Sequence, residues 1–214
     1  MRTTGVDPEP AARPLRSWPY RKGKKVKLFV LAGHRNAEGE RAFVLDLRKL
    51  RKGKALAVDN HRIAYRYDMG GGVRVSKDWE PLGPAGFTAT FGPELSFAAG
   101  LRGKVRGDFA IAKFTHSGSQ MIDWTPKGSE AKDRNLYPRF IDFVKESIAS
   151  LEKKGHRVEL AGVFYHVGEN DTSYFPYRRA MAERLEALVE QSRRDLKLPR
   201  LEWFVSQQTP FDHK

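Results

Sequence analysis

The chain contains no cysteine, and that absence removes a disulfide framework, thiol catalysis and thiolate-bound metal from consideration. Acidic side chains are scarce relative to basic ones: 26 Asp and Glu stand against 39 Lys and Arg, a formal net charge of +13. A field of that sign favours anionic partners and speaks to association rather than to fold. No apolar run is long enough to span a bilayer, and "MRTTGVDPEPAARPLRSWPYRKGKK" at the start lacks the apolar centre of a signal peptide, so no membrane partner is expected. No two histidines stand four apart as on a zinc-binding helix, and no metal or other cofactor is expected.

The basic excess concentrates in "RKGKKVK" (21–27) and "RKLRKGK" (48–54), which carry no interleaved aromatics able to stack on bases. They read as solvated faces, and nucleic acid ranks lowest among the anionic partners. With 214 residues, 40% of them hydrophobic, the chain can bury one sizeable core. Residues 1–25, with Pro8, Pro10, Pro14 and Pro19 among charges, suit neither a helix nor a central strand and read as an extended basic arm before a domain spanning 26–214.

Four runs have the continuous apolar texture of strands buried on both faces: 26–33, 109–116, 158–168 and 201–208. Between them lie helical stripes. Phe140, Val144, Ile148 and Leu151 recur at helical spacing before Gly155, and Tyr177, Met181, Leu185, Leu188 and Val189 do the same. Strands alternating with amphipathic helices predict a parallel sheet between two helical layers, an α/β/α sandwich. In such sheets ligands bind beyond the carboxyl ends of the strands, which directs attention to 33–39, 115–119, 166–171 and 207–213. Residues 55–100 are less regular, with a short strand predicted near Ile63 to Tyr67.

Each strand end carries polar chemistry. "HVGENDTS" offers the Asn170 amide as a donor to a developing oxyanion, a weak signal by itself because "GEND" is also an ordinary turn in which most such Asn residues bond their own backbone. "THSGSQMIDW" offers backbone N–H groups at Ser117, Gly118 and Ser119 as the other half of an anion cradle, or simply a polar loop. "LAGHRNAEG" places His34, Arg35 and Asn36 on the turn after the first strand.

Taken in order, "KLFVLAGHRNAEG", "WEPLGPAGFTATFGPELSFA", "IAKFTHSGSQMIDW" and "FYHVGENDTS" resemble successive blocks of the sialate O-acetylesterase and acetylxylan esterase group of SGNH hydrolases. The resemblance runs from about Val26 to Gln208. It implies a flavodoxin-like sheet and removal of acetyl groups from sugars by a serine nucleophile, with an acetylated or acidic carbohydrate as partner and, by kinship, an exported protein. It further implies that Arg35 occupies the nucleophile's position, that Gly118 matches the glycine of the second block, and that Gly168, Glu169, Asn170 and Asp171 match the third. His34, Asn36, Ser117, Ser119, His166, Glu169 and Asp171 would then line the substrate's path.

Two departures weigh against acyl transfer. A guanidinium stays protonated and cannot attack a carbonyl. The family's base is a histidine three residues after an aspartate, whereas Asp212 and His213 are adjacent here, so the chain either stops before its catalytic end or has lost it. Three alternatives follow: Ser117 acting as a relocated nucleophile with His166 or His34 as base; Arg35 pairing with Asp171 or Glu169 to close the old site; or Arg35 joining His34, Gly118 and Asn170 in an anion site for acidic glycan.

Overall fold

The computed structural model describes residues 13–130, 134–167 and 169–206. The first strand, β1 (Lys25–Gly33), lies at the centre of the sheet, and its burial on both faces explains why "VKLFVLAG" is apolar without alternation. It pairs in parallel with β5 (Asp108–Thr115) on one side and β6 (Arg157–His166) on the other. Beyond β5 runs β2 (Asn60–Met69), also parallel, and beyond β6 the three-residue β7 (Trp203–Val205). Two short strands, β3 (Arg74–Val75) and β4 (Glu80–Leu82), return antiparallel to β2. The spatial order is β3-β2-β5-β1-β6-β7, with β4 also against β2.

Helices cover both faces. On one face pack α5 (Leu136–Lys153) and α7 (Phe175–Asp195), the two helices whose stripes are legible in the sequence. Phe140, Val144, Leu151 and Leu188 meet Leu28, Val30, Ala112 and Phe114 of the sheet there. On the other face α2 (Val44–Lys49) and α4 (Glu94–Leu101) set Val44, Leu47, Leu95 and Ala98 against Phe29, Leu31, Tyr65 and Ile111. The expected α/β/α sandwich is thus present. Burying Val26, Leu28 and Val30 outright stabilises by about 1.5–3 kcal/mol per side chain before entropy is set against it.

The fourth predicted strand, 201–208, is realised over three residues, and its last two lie outside the described residues. The strand predicted at Ile63 to Tyr67 extends over Asn60–Met69, because the alternation of Ile63, Tyr65, Tyr67 and Met69 fills the α2–α4 face. "GEND" is not a simple turn: Glu169–Thr172 forms the single-turn helix α6. The exposed cations Arg48, Lys49, Arg51, Lys52 and Lys54 do form a solvated face on α2, α3 (Gly53–Leu56) and the loop joining them. Residues 13–24 are irregular, as their prolines require, and are docked on the domain. Tyr20 is buried, donates its hydroxyl proton to Phe109 O and accepts from Ala64 N–H, while Arg13 pairs with Asp59 and Glu80.

Candidate functional site

The strand register sets Gly33 level with Thr115 on β5 and with His166 on β6, so three of the carboxyl ends singled out in the sequence open at one edge. The backbone pinches there: His34 N–H donates to His166 O at 2.9 Å and His116 N–H donates to Gly33 O at 3.0 Å. Position 33 has to be glycine, since its φ is +137° and a Cβ would fall 2.0 Å from His166 O. The chain then turns into the single-turn helix α1 (Arg35–Glu38), closed by Gly39 in the left-handed region.

From this turn His34 points inward and is fully buried. Its Nε2 accepts from Nδ2 of Asn170 at 2.8 Å, and the second proton of that amide goes to Ser119 O at 3.2 Å. An imidazole accepting at Nε2 carries its proton on Nδ1. Asp171, also fully buried, accepts from Met121 N–H at 3.0 Å and has Arg184 at 3.9 Å. Burial pushes its carboxyl above the ordinary value, against the opposing pull of the Met121 hydrogen bond, Arg184 and His34. Ser119 donates to His116 O and accepts from the Trp124 indole. His34, Ser119 and Asp171 were expected to line the substrate's path; their burial makes them the frame that positions Asn170 and the loop after β5.

Arg35 turns the other way. Its Nε lies 2.9 Å from Glu40 Oε2, a charge contact made off the N–H direction, so that it does not count as a directed hydrogen bond. Asp171, one of its two expected partners, is held elsewhere by Met121 N–H and Arg184. The same Glu40 oxygen accepts from Ser117 Oγ at 2.8 Å, so the hydroxyl considered as a relocated nucleophile meets a carboxylate and not the ring of His34 or His166. The Ser117 backbone N–H, expected to cradle an external anion, donates instead to Glu38 Oε2 at 3.1 Å, and Gly70 N–H donates to the same oxygen at 3.2 Å. That link to the end of β2 was not legible in the sequence, since nothing local to "MGGG" points to Glu38. Gly118 has open space where a Cβ would be and a φ of +84°, and its carbonyl accepts from Arg134. Asn36 is exposed at the rim. Gly168, the Glu169 side chain, Asp212 and His213 lie outside the described residues.

Beneath α1 a second constraint is buried. Lys113 of β5, fully enclosed, donates to Glu94 Oε2 at 2.8 Å and to Glu38 O at 2.9 Å, while Glu94 Oε1 accepts from Gly92 N–H. This pair ties the end of α1 to the start of α4. The chain runs from β1 towards β2 on one side and later crosses to β6 and β7 on the other, so the strand order reverses between β1 and β6. At that place, where ligands enter open sheets of this kind, a cavity of about 310 Å³ is lined by Ala37, Phe97, Tyr165, His166, Phe204 and others. Among the described residues no cluster of His, Asp and Glu is arranged to hold a metal.

Residues 25–213 match the carbohydrate esterase family described as sialic acid-specific acetylesterase. The chain belongs to that family. Among solved structures, a protein from Arabidopsis thaliana is similar at 19% identity and a TM-score of 0.61, over 86% of this chain and 74% of that one. NanS is similar at 18% identity and 0.58, over 89% and 69%. XAC1771, a carbohydrate acetylesterase from Xanthomonas citri, is similar at 18% identity and 0.57, over 84% of this chain and 41% of its own length. No curated protein matches the sequence. At these identities the structural likeness speaks to the fold, which is that of the SGNH-like esterases expected from the four sequence blocks.

Proposed function

We propose that this member of the carbohydrate esterase family binds an acidic carbohydrate at the strand-end cleft and does not hydrolyse esters there. The observation that carries this reading is that the Asn170 side chain and two of the three N–H groups of the loop after β5 are used internally, Ser119 N–H being given to His116 O. Both protons of the Asn170 amide are taken by His34 and Ser119 O, and the Ser117 N–H is taken by Glu38. An oxyanion hole works only when its donors are free to meet the charge that develops in the transition state. Arg35, in the position that the resemblance gives to the nucleophile, supplies no attacking atom.

Arg35 has a use of another kind. Its Nε faces Glu40, while Nη1 and Nη2 make no hydrogen bond or ion pair among the described residues, and the side chain is 42% exposed. A free guanidinium fork matches a sugar carboxylate with two parallel N–H donors. The net charge of +13 draws such a ligand in.

The test pairs turnover with binding. Acetate release from 4-nitrophenyl acetate and from O-acetylated sialic acid is expected to stay at the buffer rate for the wild type. Calorimetric binding of N-acetylneuraminic acid is expected to weaken about tenfold or more in Arg35→Ala, the loss of one charge-assisted contact of about 1.5–3 kcal/mol. Wild-type turnover that disappears in Ser117→Ala would overturn the proposal and establish Ser117, with Glu40 as its proton acceptor, as the nucleophile.

A further inference from the structure

Two large aromatic side chains next to each other in sequence stand in solvent immediately after the turn that carries Asn170. Tyr174 is 57% and Phe175 62% exposed. Single exposed apolar groups need no explanation, but two neighbouring rings standing in solvent do. Their placement is fixed. Tyr174 caps α7, its carbonyl accepting from the N–H groups of Tyr177 and Arg178, and Pro176 locks the first turn. The Tyr174 ring meets the edge of Tyr177 at 5.1 Å. Tyr177 carries Arg184 over its face at 5.2 Å, and Arg184 reaches back to Asp171. A run of contacts therefore links Tyr174 to the buried Asp171 next to Asn170. On the outer side of the same turn Arg178 sits 5.5 Å from the centre of Phe175. Arg178 and Arg179 are exposed, and neither is within ion-pair distance of a carboxylate among the described residues.

From this arrangement we infer a second carbohydrate subsite at the start of α7, in which Tyr174 and Phe175 stack on a pyranose ring and Arg178 and Arg179 hold the carboxylate of that same acidic sugar. A pyranose presents a face of C–H bonds whose hydrogens are slightly positive, and an aromatic face is negative. Rigid rings offer that contact at a small entropic cost. Unpaired cations beside the rings select an acidic sugar over a neutral one, since a charge-assisted bond to a carboxylate is about twice as strong as a neutral one. The inference rests on the reading that the strand-end cleft holds one acidic sugar, because the α7 subsite then takes the next unit of the same chain.

The experiment uses the full chain and three probes: N-acetylneuraminic acid, its α2,8-linked trimer, and xylotriose. Wild type is expected to bind the trimer about tenfold or more tightly than the single sugar. Tyr174→Ala/Phe175→Ala is expected to erase that advantage while leaving the single sugar's Kd and the thermal midpoint unchanged. Arg178→Gln/Arg179→Gln is expected to weaken the trimer alone and to flatten its salt dependence, with xylotriose weak throughout. A trimer bound no more tightly than the single sugar, or bound equally by wild type and the aromatic double variant, overturns the α7 subsite and leaves the cleft reading standing. A trimer that needs the two rings, with no measurable binding of the single sugar, retains the subsite and overturns the cleft reading. Absence of both overturns both.

Discussion

Replacing Lys113 with methionine removes one charge from a pair that has no contact with solvent. In the folded protein Lys113 and Glu94 are both fully buried, 2.8 Å apart. The variant keeps the volume of the side chain but strands the Glu94 carboxylate with the Gly92 N–H as its one remaining donor among the described residues, and it leaves Glu38 O without the Lys113 ammonium. Removing one partner of a buried pair costs about 3–5 kcal/mol, because the surviving charge has lost its compensation without regaining water. Against a total stability of about 5–15 kcal/mol this is a large share. In a chain of this length each kcal/mol moves the melting temperature by roughly 2–4 °C, so the midpoint is expected to fall by about 6–20 °C. Urea unfolding followed by circular dichroism and by tryptophan fluorescence measures the loss directly. Lys113→Met/Glu94→Leu, with no stranded charge, is expected to recover part of it. A single variant that loses less than about 1 kcal/mol, or a double variant less stable than the single one, would refute the account of the pair as a mutual charge compensation.

Tyr20→Phe is expected to destabilise by about 1–3 kcal/mol in the same unfolding assay, since Phe109 O and Ala64 N–H both lose a buried partner. Gly33→Ala places a methyl group 2.0 Å from His166 O and is expected to abolish soluble folded protein, read by expression yield and size-exclusion chromatography. Asp171 has a raised folded-state value, so its ionisation weakens folding as pH rises above its ordinary value of 3.8 and the penalty is complete above the folded value. The stability of Asp171→Asn relative to wild type is therefore expected to improve between about pH 4 and pH 7, and a difference that is flat across this range contradicts the desolvation argument.

Much of the frame was legible before any coordinates. The apolar texture of 26–33 reads as a doubly buried strand because both faces of β1 are in fact covered, and the 3.6-residue stripe of α5 puts Phe140, Val144 and Leu151 in the core. The region 55–100 was poorly legible for a physical reason. Its elements, such as α3 at four residues and β4 at three, are too short for a period to repeat, and α4 spends buried positions on Glu94 and Ala98 rather than on a clean stripe. For the arm, prolines show that 13–24 cannot be regular but not that Tyr20 reaches the sheet. Arg35 follows the end of β1 by two residues, and its contact with Glu40 follows from no periodic pattern.

What the sequence determined by itself was local: which runs are strands, which faces of the helices are apolar, that position 35 is a cation, and through four ordered blocks the family to which the chain belongs. The tertiary structure alone decided the partners. Asn170 meets His34 across 136 residues, Ser117 meets Glu40 across 77, and Lys113 meets Glu94 from a neighbouring element. Periodicity reports which side of an element faces inward, whereas hydrogen-bond partners follow from strand order and register, and those are properties of the assembled sheet.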